Sequence, residues 1–164
     1  MPAPEFRVRI DAVTWADAPV TRRAEWRALV QEFAQDADSL SSSDATLLLI
    51  ALSSEGFTLT LSSEAEEQGQ VVDIPRAALR RHVGDYVDVV RQLSLEEQSW
   101  NSARMETLDM AKKVIHDDAA HAVQDLCAPL GLSHKASRTL FSLLLALQVD
   151  THRLTGVHGH RPIR

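Results

Sequence analysis

The residues best suited to chemistry lie within residues 101–150, where polar and acidic side chains interrupt an apolar pattern with helical periodicity. Asp109 and His116 are seven residues apart, so a continuous helix would place them two turns apart on one face. A carboxylate and an imidazole suit acid–base catalysis or, with Asp117 or His121 as a further ligand, a zinc, manganese or iron site. At about 1.5 Å per residue, however, Asp109 and His116 are separated by roughly 10 Å along the helix axis. That separation argues against one metal ion bound by both.

His116, Asp117 and Asp118 have a simpler interpretation as the junction between two helices, at residues 102–115 and 119–128. A histidine at the C-terminal end of one helix and an aspartate at the N-terminal end of the next both interact favourably with the helix dipoles. The chain also lacks the usual sequence signatures of hydrolases, nucleotide-binding enzymes and zinc proteases. We therefore predict that these side chains position helices and that no cofactor is bound; a non-enzymatic role is favoured over an enzymatic one.

Residues 122–140 resemble a helix-turn-helix motif. Gly131 occupies the turn, and the following helix begins with Lys135 and Arg138, which are suited to contact phosphates and base edges. The same helix becomes apolar on nearly all sides over residues 140–147, which is typical of a buried helix. DNA binding is therefore the second interpretation.

The 164 residues, of which 45% are hydrophobic and 24% charged, fit one globular domain. The net charge of −6 is unevenly spread: residues 1–74 contain 13 acidic and 5 basic residues, whereas residues 75–164 contain 10 acidic and 12 basic residues. An acidic chain is a poor nonspecific ligand for nucleic acid, because neutralising phosphates supplies most of that affinity. Another protein is therefore the favoured partner.

The sequence predicts a cytoplasmic protein that does not contact a membrane. Its single cysteine, Cys127, cannot form a disulfide within the chain, which suits a reducing compartment. The first 11 residues lack the basic and apolar regions of a classical signal peptide. Apolar runs such as residues 143–147 are far shorter than the roughly 20 residues that cross a bilayer.

Alternating apolar and polar residues predict strands in the first half of the chain, and three- and four-residue spacing predicts helices in the second. Ser94 with Glu97 has the pattern of a capping box, between a helix that ends near residue 93 and the next one. The predicted strands are residues 6–13, 46–52, 57–61 and 70–74, with the last three in an antiparallel meander; the predicted helices are residues 22–36, 75–93, 102–115, 119–128 and 134–148.

These elements predict an α+β fold: a small antiparallel sheet of about four strands, with helices packed on one face and a helical C-terminal half. Residues 1–150 form the single domain, and residues 151–164 form a flexible C-terminal tail. A serine-rich stretch between residues 36 and 44 is predicted to be a loop.

Several short patterns over residues 75–148 resemble those of an uncharacterised family of small bacterial proteins. They are an Asp-Tyr pair, a D-M-x5-H-N-E pattern and an R-R-L-F segment; here Asp117 and Asp118 replace the Asn and Glu, and Thr139 replaces the second Arg. The resemblance implies a shared fold and a common site, and it implies no activity. The candidate site residues are Asp85, Tyr86, Asp109, His116, Asp117, Asp118, Lys135 and Arg138.

The leading functional prediction is a non-enzymatic cytoplasmic protein that binds or regulates another protein, with a second copy of the chain as an alternative partner. It rests on the absence of enzyme signatures and on the helix at residues 140–149, which has more apolar surface than one packing face needs. Trp15 and Trp100 lie outside the apolar faces of the predicted helices. Each is either exposed, where it could contact a partner, or packed over the edge of the core. A DNA-binding regulator using residues 122–140 is the second hypothesis, and a metal-dependent enzyme is the third.

Overall fold

The computed structural model describes residues 5–37, 40, 45–63 and 66–150. Within these residues one four-stranded sheet packs against a helical layer. The predicted tail at residues 151–164 and most of the predicted serine-rich loop lie outside the described residues. The strands are β1 (Arg7–Ile10), β2 (Leu47–Leu52), β3 (Gly56–Ser63) and β4 (Glu66–Pro75); the helices are α1 (Ala12–Ala16), α2 (Arg23–Asp36), α3 (Arg76–Ser99), α4 (Ser102–Leu126) and α5 (His134–Gln148).

The sheet has the order β1-β2-β3-β4, and β2, β3 and β4 form the predicted antiparallel meander. The α+β class is confirmed, but the sheet is mixed, because β1 runs parallel to β2. Alternation in a sequence shows which face a strand buries and carries no information about its direction. A parallel pair needs a long crossover connection, and α2 supplies it between β1 and β2. β1 is also shorter than predicted, since the Asp11 side chain accepts a hydrogen bond from the Val13 N–H and starts α1.

The main core lies between one face of the sheet and α5. The sheet contributes alternate residues of every strand: Val8, Leu48, Ile50, Phe57, Leu59, Val72 and Ile74. From Leu140 to Leu147, every residue of α5 except the half-buried Ser142 is buried, and α2 and α4 pack on two of its sides. The surplus apolar surface expected on this helix is therefore covered within the chain itself.

Both ends of α5 are fixed by side chains. At its N-terminus the Ser133 hydroxyl accepts a hydrogen bond from the Ala136 N–H at 3.1 Å, as predicted. At its C-terminus the buried Arg22 guanidinium donates to the carbonyls of Ala146 and Val149, the latter at 2.7 Å. A cation there offsets the negative end of the helix dipole and satisfies carbonyls that have no partner within the helix. No local pattern around Arg22 predicts this role, because its contacts lie far along the chain.

α3 and α4 form a long antiparallel hairpin, each about 36 Å in length. The predicted helix end near residue 93 is wrong, because α3 continues to Ser99 and the capping-box pattern at Ser94 lies inside it. The predicted junction at residues 116–118 is also wrong, because these residues lie in the middle of the continuous helix α4. Within the described residues, no helix combines the length and the apolar character needed to cross a membrane.

The two helices are joined by Trp100 and Asn101. Trp100 ends α3 with a left-handed backbone (φ 59°), and the Asn101 side chain caps α4 by accepting a hydrogen bond from the Arg104 N–H at 3.1 Å. None of residues 91–107 is buried. We call residues 91–107 the hairpin end. Its Leu93 packs against a small second core of Val89, Val90 and Leu108, and the residues beyond Leu93 extend away from this core.

Candidate functional site

The candidate site lies where α3, α4 and α5 meet. Successive residues of a helix are about 100° apart around its axis. The buried stripe of α4 includes Ala119 and the half-buried Ile115, so the three polar residues between them point in different directions. His116 faces the interior between the helices, Asp117 faces α5 and Asp118 faces α3. A polar cluster that resembles a helix break in the sequence is therefore a three-way contact between helices.

The imidazole of His116 is half-buried between two aromatic rings. Its ring centre is 5.8 Å from that of Tyr86 on α3 and 5.7 Å from that of Phe141 on α5. Burial, followed by the nearby positive charge of Arg138, lowers the pKa of His116 to about 4. The imidazole is therefore neutral at neutral pH. Burial also raises the pKa of the Tyr86 phenol, which stays protonated.

Ser142 is next to His116, but their arrangement does not suit a nucleophile and its base. The Nε2 atom of His116 is 3.1 Å from the Ser142 hydroxyl and 3.2 Å from the carbonyl oxygen of Arg138. A carbonyl oxygen only accepts, so it selects the tautomer with the proton on Nε2. That tautomer leaves Nε2 with no lone pair to accept the serine proton. The contact instead ties α4 to α5.

Asp117 connects α4 to the first turns of α5. Its carboxylate accepts hydrogen bonds from the Arg138 guanidinium and from Nε2 of His134, the second at 3.2 Å. The ring of His134 in turn stacks on that of His121, with ring centres 4.5 Å apart. The neighbouring Lys135 is 3.5 Å from the Asp36 carboxylate at the end of α2.

Asp118 makes the corresponding connection to α3. Its carboxylate is 3.3 Å from both Arg81 and Nε2 of His82. Adjacent carboxylates of α4 therefore hold two different helices. We call the contacts of His116, Asp117 and Asp118 the helix brace.

Three of the predicted site residues lie outside the helix brace: Lys135, which pairs with Asp36, and also Asp109 and Asp85. Asp109 forms an ion pair at 3.3 Å with Lys113 one turn further along α4, and Asp85 is exposed on α3. The proposed pairing of Asp109 with His116 is therefore not formed. No group of three or more His, Cys, Asp or Glu side chains among the described residues is arranged to hold a metal ion. Burial raises the pKa of the Cys127 thiol to about 12, which makes it unreactive.

The helix-turn-helix region has the expected turn but an enclosed second helix. Gly131 has a left-handed backbone (φ 62°) between α4 and α5. Lys135 and Arg138, which would have to contact DNA, face the carboxylates of Asp36 and Asp117. The rest of α5 is covered by other elements of the chain, and a recognition helix needs a free face to enter the major groove.

The hairpin end carries the most exposed large apolar side chain of this helical region, that of Trp100. Trp100 is 88% exposed and Leu95 is 66% exposed, and Met110 and Val114 extend the exposed apolar surface along α4. The interpretation of Trp100 as an exposed residue is confirmed. Trp15 differs, since it is half-buried against the arginines of α2.

Comparison with known proteins gives one match. A family model described as an uncharacterised protein family, UPF0262, matches residues 6–150. No curated protein and no solved structure matches the chain. The match covers the sheet, all five α-helices and the helix brace, and its description names no activity.

Proposed function

We propose that this chain, which belongs to the uncharacterised family UPF0262, is a non-enzymatic protein that binds another protein through the hairpin end, with Trp100 as the central contact. The helix brace then holds the base of the hairpin in place. The proposal assigns the polar motif a positioning role and the exposed apolar residues the contact with the partner.

The backbone of Trp100 carries this proposal. A left-handed backbone costs a residue with a side chain roughly 1–2 kcal/mol, and glycine usually occupies this position after a helix. The tryptophan at this position is almost fully exposed, so packing within the chain does not offset the cost. Strain of this kind, kept at an exposed aromatic residue, favours a role in function.

The residues around Trp100 support the same role. Tryptophan is among the residues that contribute most to protein–protein binding energy, and the neighbouring Leu95 adds to the apolar surface. Arg104 approaches Glu96 at 3.9 Å and Gln92 at 3.3 Å, so polar side chains border this surface. An apolar centre with a polar border is typical of protein interfaces.

The helix brace would make binding by the hairpin end less costly. A rigid binding element loses less conformational entropy on association than a flexible one. Because Asp117 holds α5 and Asp118 holds α3, the base of the hairpin has fixed geometry before any partner arrives.

Photo-crosslinking in the source cell tests the proposal. A photoreactive aromatic amino acid replaces Trp100 in one variant and the exposed Glu32 on α2 in a matched control. We expect a discrete light-dependent adduct from position 100 and none from position 32. The mass of the adduct distinguishes a different protein from a second copy of the chain. No adduct at position 100, or equal adducts at both positions, would contradict the proposal.

A further inference from the structure

A second surface combines the outer edge of the described sheet with arginines that form no ion pair among the described residues. β1 is an edge strand of this sheet. The Arg7 N–H donates to the carbonyl of Thr46, just before β2, and the Asp11 N–H donates to the carbonyl of Ile50 on β2. In a strand these groups alternate in direction, so the N–H and C=O groups of Val8 and Ile10 point away from β2.

These outward groups border a groove of about 300 Å³. Val8, Arg9 and Ile10 form its strand side, and the other side is formed by Trp15, Arg27, Val30 and Gln31. The groove therefore offers backbone hydrogen-bonding groups beside an apolar floor and the Arg27 side chain. The side chain of Arg9 alternates with the inward-facing Val8 and Ile10, so it lies on the other face of the sheet.

The charge of this groove is opposite to that of the surrounding sequence. Four of the five basic residues in residues 1–74 lie on β1 or in the first turns of α2. Arg23 and Arg27 are one turn apart, and like charges at this spacing destabilise a helix. Both guanidinium groups lie over the ring of Trp15, with their carbons 5.6 and 5.0 Å from the ring centre. Among the described residues no carboxylate forms an ion pair with Arg9, Arg23 or Arg27, and the buried Nε of Arg23 has no hydrogen-bond partner.

We propose that the groove binds an extended acidic segment of another protein, which pairs with the outer edge of β1 and directs its carboxylates towards Arg27 on α2. Strand addition to an open edge is a common mode of peptide recognition, in which backbone hydrogen bonds provide affinity and side chains provide specificity. The chain's own residues 151–164 lack the complementary charge, since they contain three arginines and no acidic residue.

The probe for this proposal is a fluorescent peptide in which glutamate and valine alternate, with binding to the full chain measured by anisotropy. A lysine–valine peptide is its charge control. We expect saturable binding of the acidic peptide alone, weakened about tenfold or more by Arg27→Glu. Arg80→Glu, which makes the same charge change on the exposed surface of α3, should leave binding unchanged.

Two N-methylated peptides separate strand pairing from simple charge attraction. One is methylated on the glutamate nitrogens and the other on the valine nitrogens, so only one of them loses the N–H groups that face β1. We expect one methylated peptide to bind like the parent and the other to lose binding. Equal binding of both, or tighter binding of a single-stranded oligonucleotide than of the peptide, would overturn the proposal. So would a dimer of the chain that occupies this edge and excludes the peptide.

Discussion

The base and the end of the α3–α4 hairpin use their side chains in opposite ways. At the base, His116 is half-buried with Nε2 in contact with α5, and Asp117 and Asp118 each pair with a neighbouring helix. At the end, Trp100 is almost fully exposed with a strained backbone. A motif recognisable in sequence can therefore have a supporting role, while the surface that we propose to bind a partner carries no motif.

Removing the aromatic packing at the base should have the largest effect on stability. Phe141 is fully buried and contacts the rings of Tyr86 and His116. Phe141→Ala should lower the free energy of unfolding by about 3–5 kcal/mol. Trp100→Ala, the matched change at the hairpin end, should alter it by less than about 0.5 kcal/mol. Denaturant unfolding measures the free energy of unfolding of both variants. A comparable loss in both would mean that Trp100 contributes to packing as much as Phe141 does.

Acid should destabilise the base of the hairpin through His116. The pKa of this residue is about 4 in the folded protein against an ordinary value of 6.5. Between these values the unfolded chain binds a proton that the folded chain does not, so stability is full above pH 6.5 and falls as the pH approaches 4. His116→Gln should reduce this pH dependence of the unfolding free energy.

The control for the pH experiment is His121→Gln, which removes an exposed histidine of the same helix. An equal change of the pH dependence in both variants would show that the effect is not specific to His116. A profile that is the same with and without His116 would show that its imidazole is not held neutral.

Glycine at the hairpin end should separate stability from function. Trp100→Gly relieves the left-handed backbone and should raise the free energy of unfolding by roughly 1 kcal/mol. Ser99→Gly, one residue earlier and within α3, should lower it by up to about 1 kcal/mol. Trp100→Gly should also abolish partner binding, because the central contact is gone. Destabilisation by Trp100→Gly would mean that the tryptophan packs within the chain.

The smallest expected effect comes from the partly exposed ion pairs of the helix brace. Asp117→Asn removes the charge that faces Arg138 and His134 and should cost about 0.5 kcal/mol at low salt. The loss should shrink as salt is added. Asp109→Asn, which breaks a pair within α4, provides the control and should cost no more. An effect that salt does not reduce would point to a different role for Asp117.

Local rules predicted much of the fold. The bounds of α5, residues 134–148, and the β2–β3–β4 meander follow from periodicity, a serine N-cap and a glycine-containing turn. The parallel direction of β1 was not predictable in this way, because it depends on the crossover through α2. The prediction of a helix break at His116 was wrong. The same polar residue types occur at capped helix ends and at contacts between helices, so the sequence alone does not distinguish the two.

The site was predicted in part. His116, Asp117, Asp118, Tyr86 and Arg138 meet in space as a shared motif suggests, whereas Asp109 does not. Exposure of Trp100 was one of two alternatives, because sequence does not show that a hairpin extends beyond its core. The role of Arg22 could not be predicted from sequence, because it depends on a contact with α5, more than 120 residues away in the chain.

Moving one photoreactive side chain between the two regions tests the central claim most directly. Lys135 lies beside the helix brace and is 81% exposed in its side chain, so it is as accessible as Trp100 at the hairpin end. We expect a light-dependent partner adduct from position 100 and none from position 135. An adduct from position 135 alone would show that the polar motif itself contacts the partner, and it would contradict the proposal that the partner binds at the hairpin end.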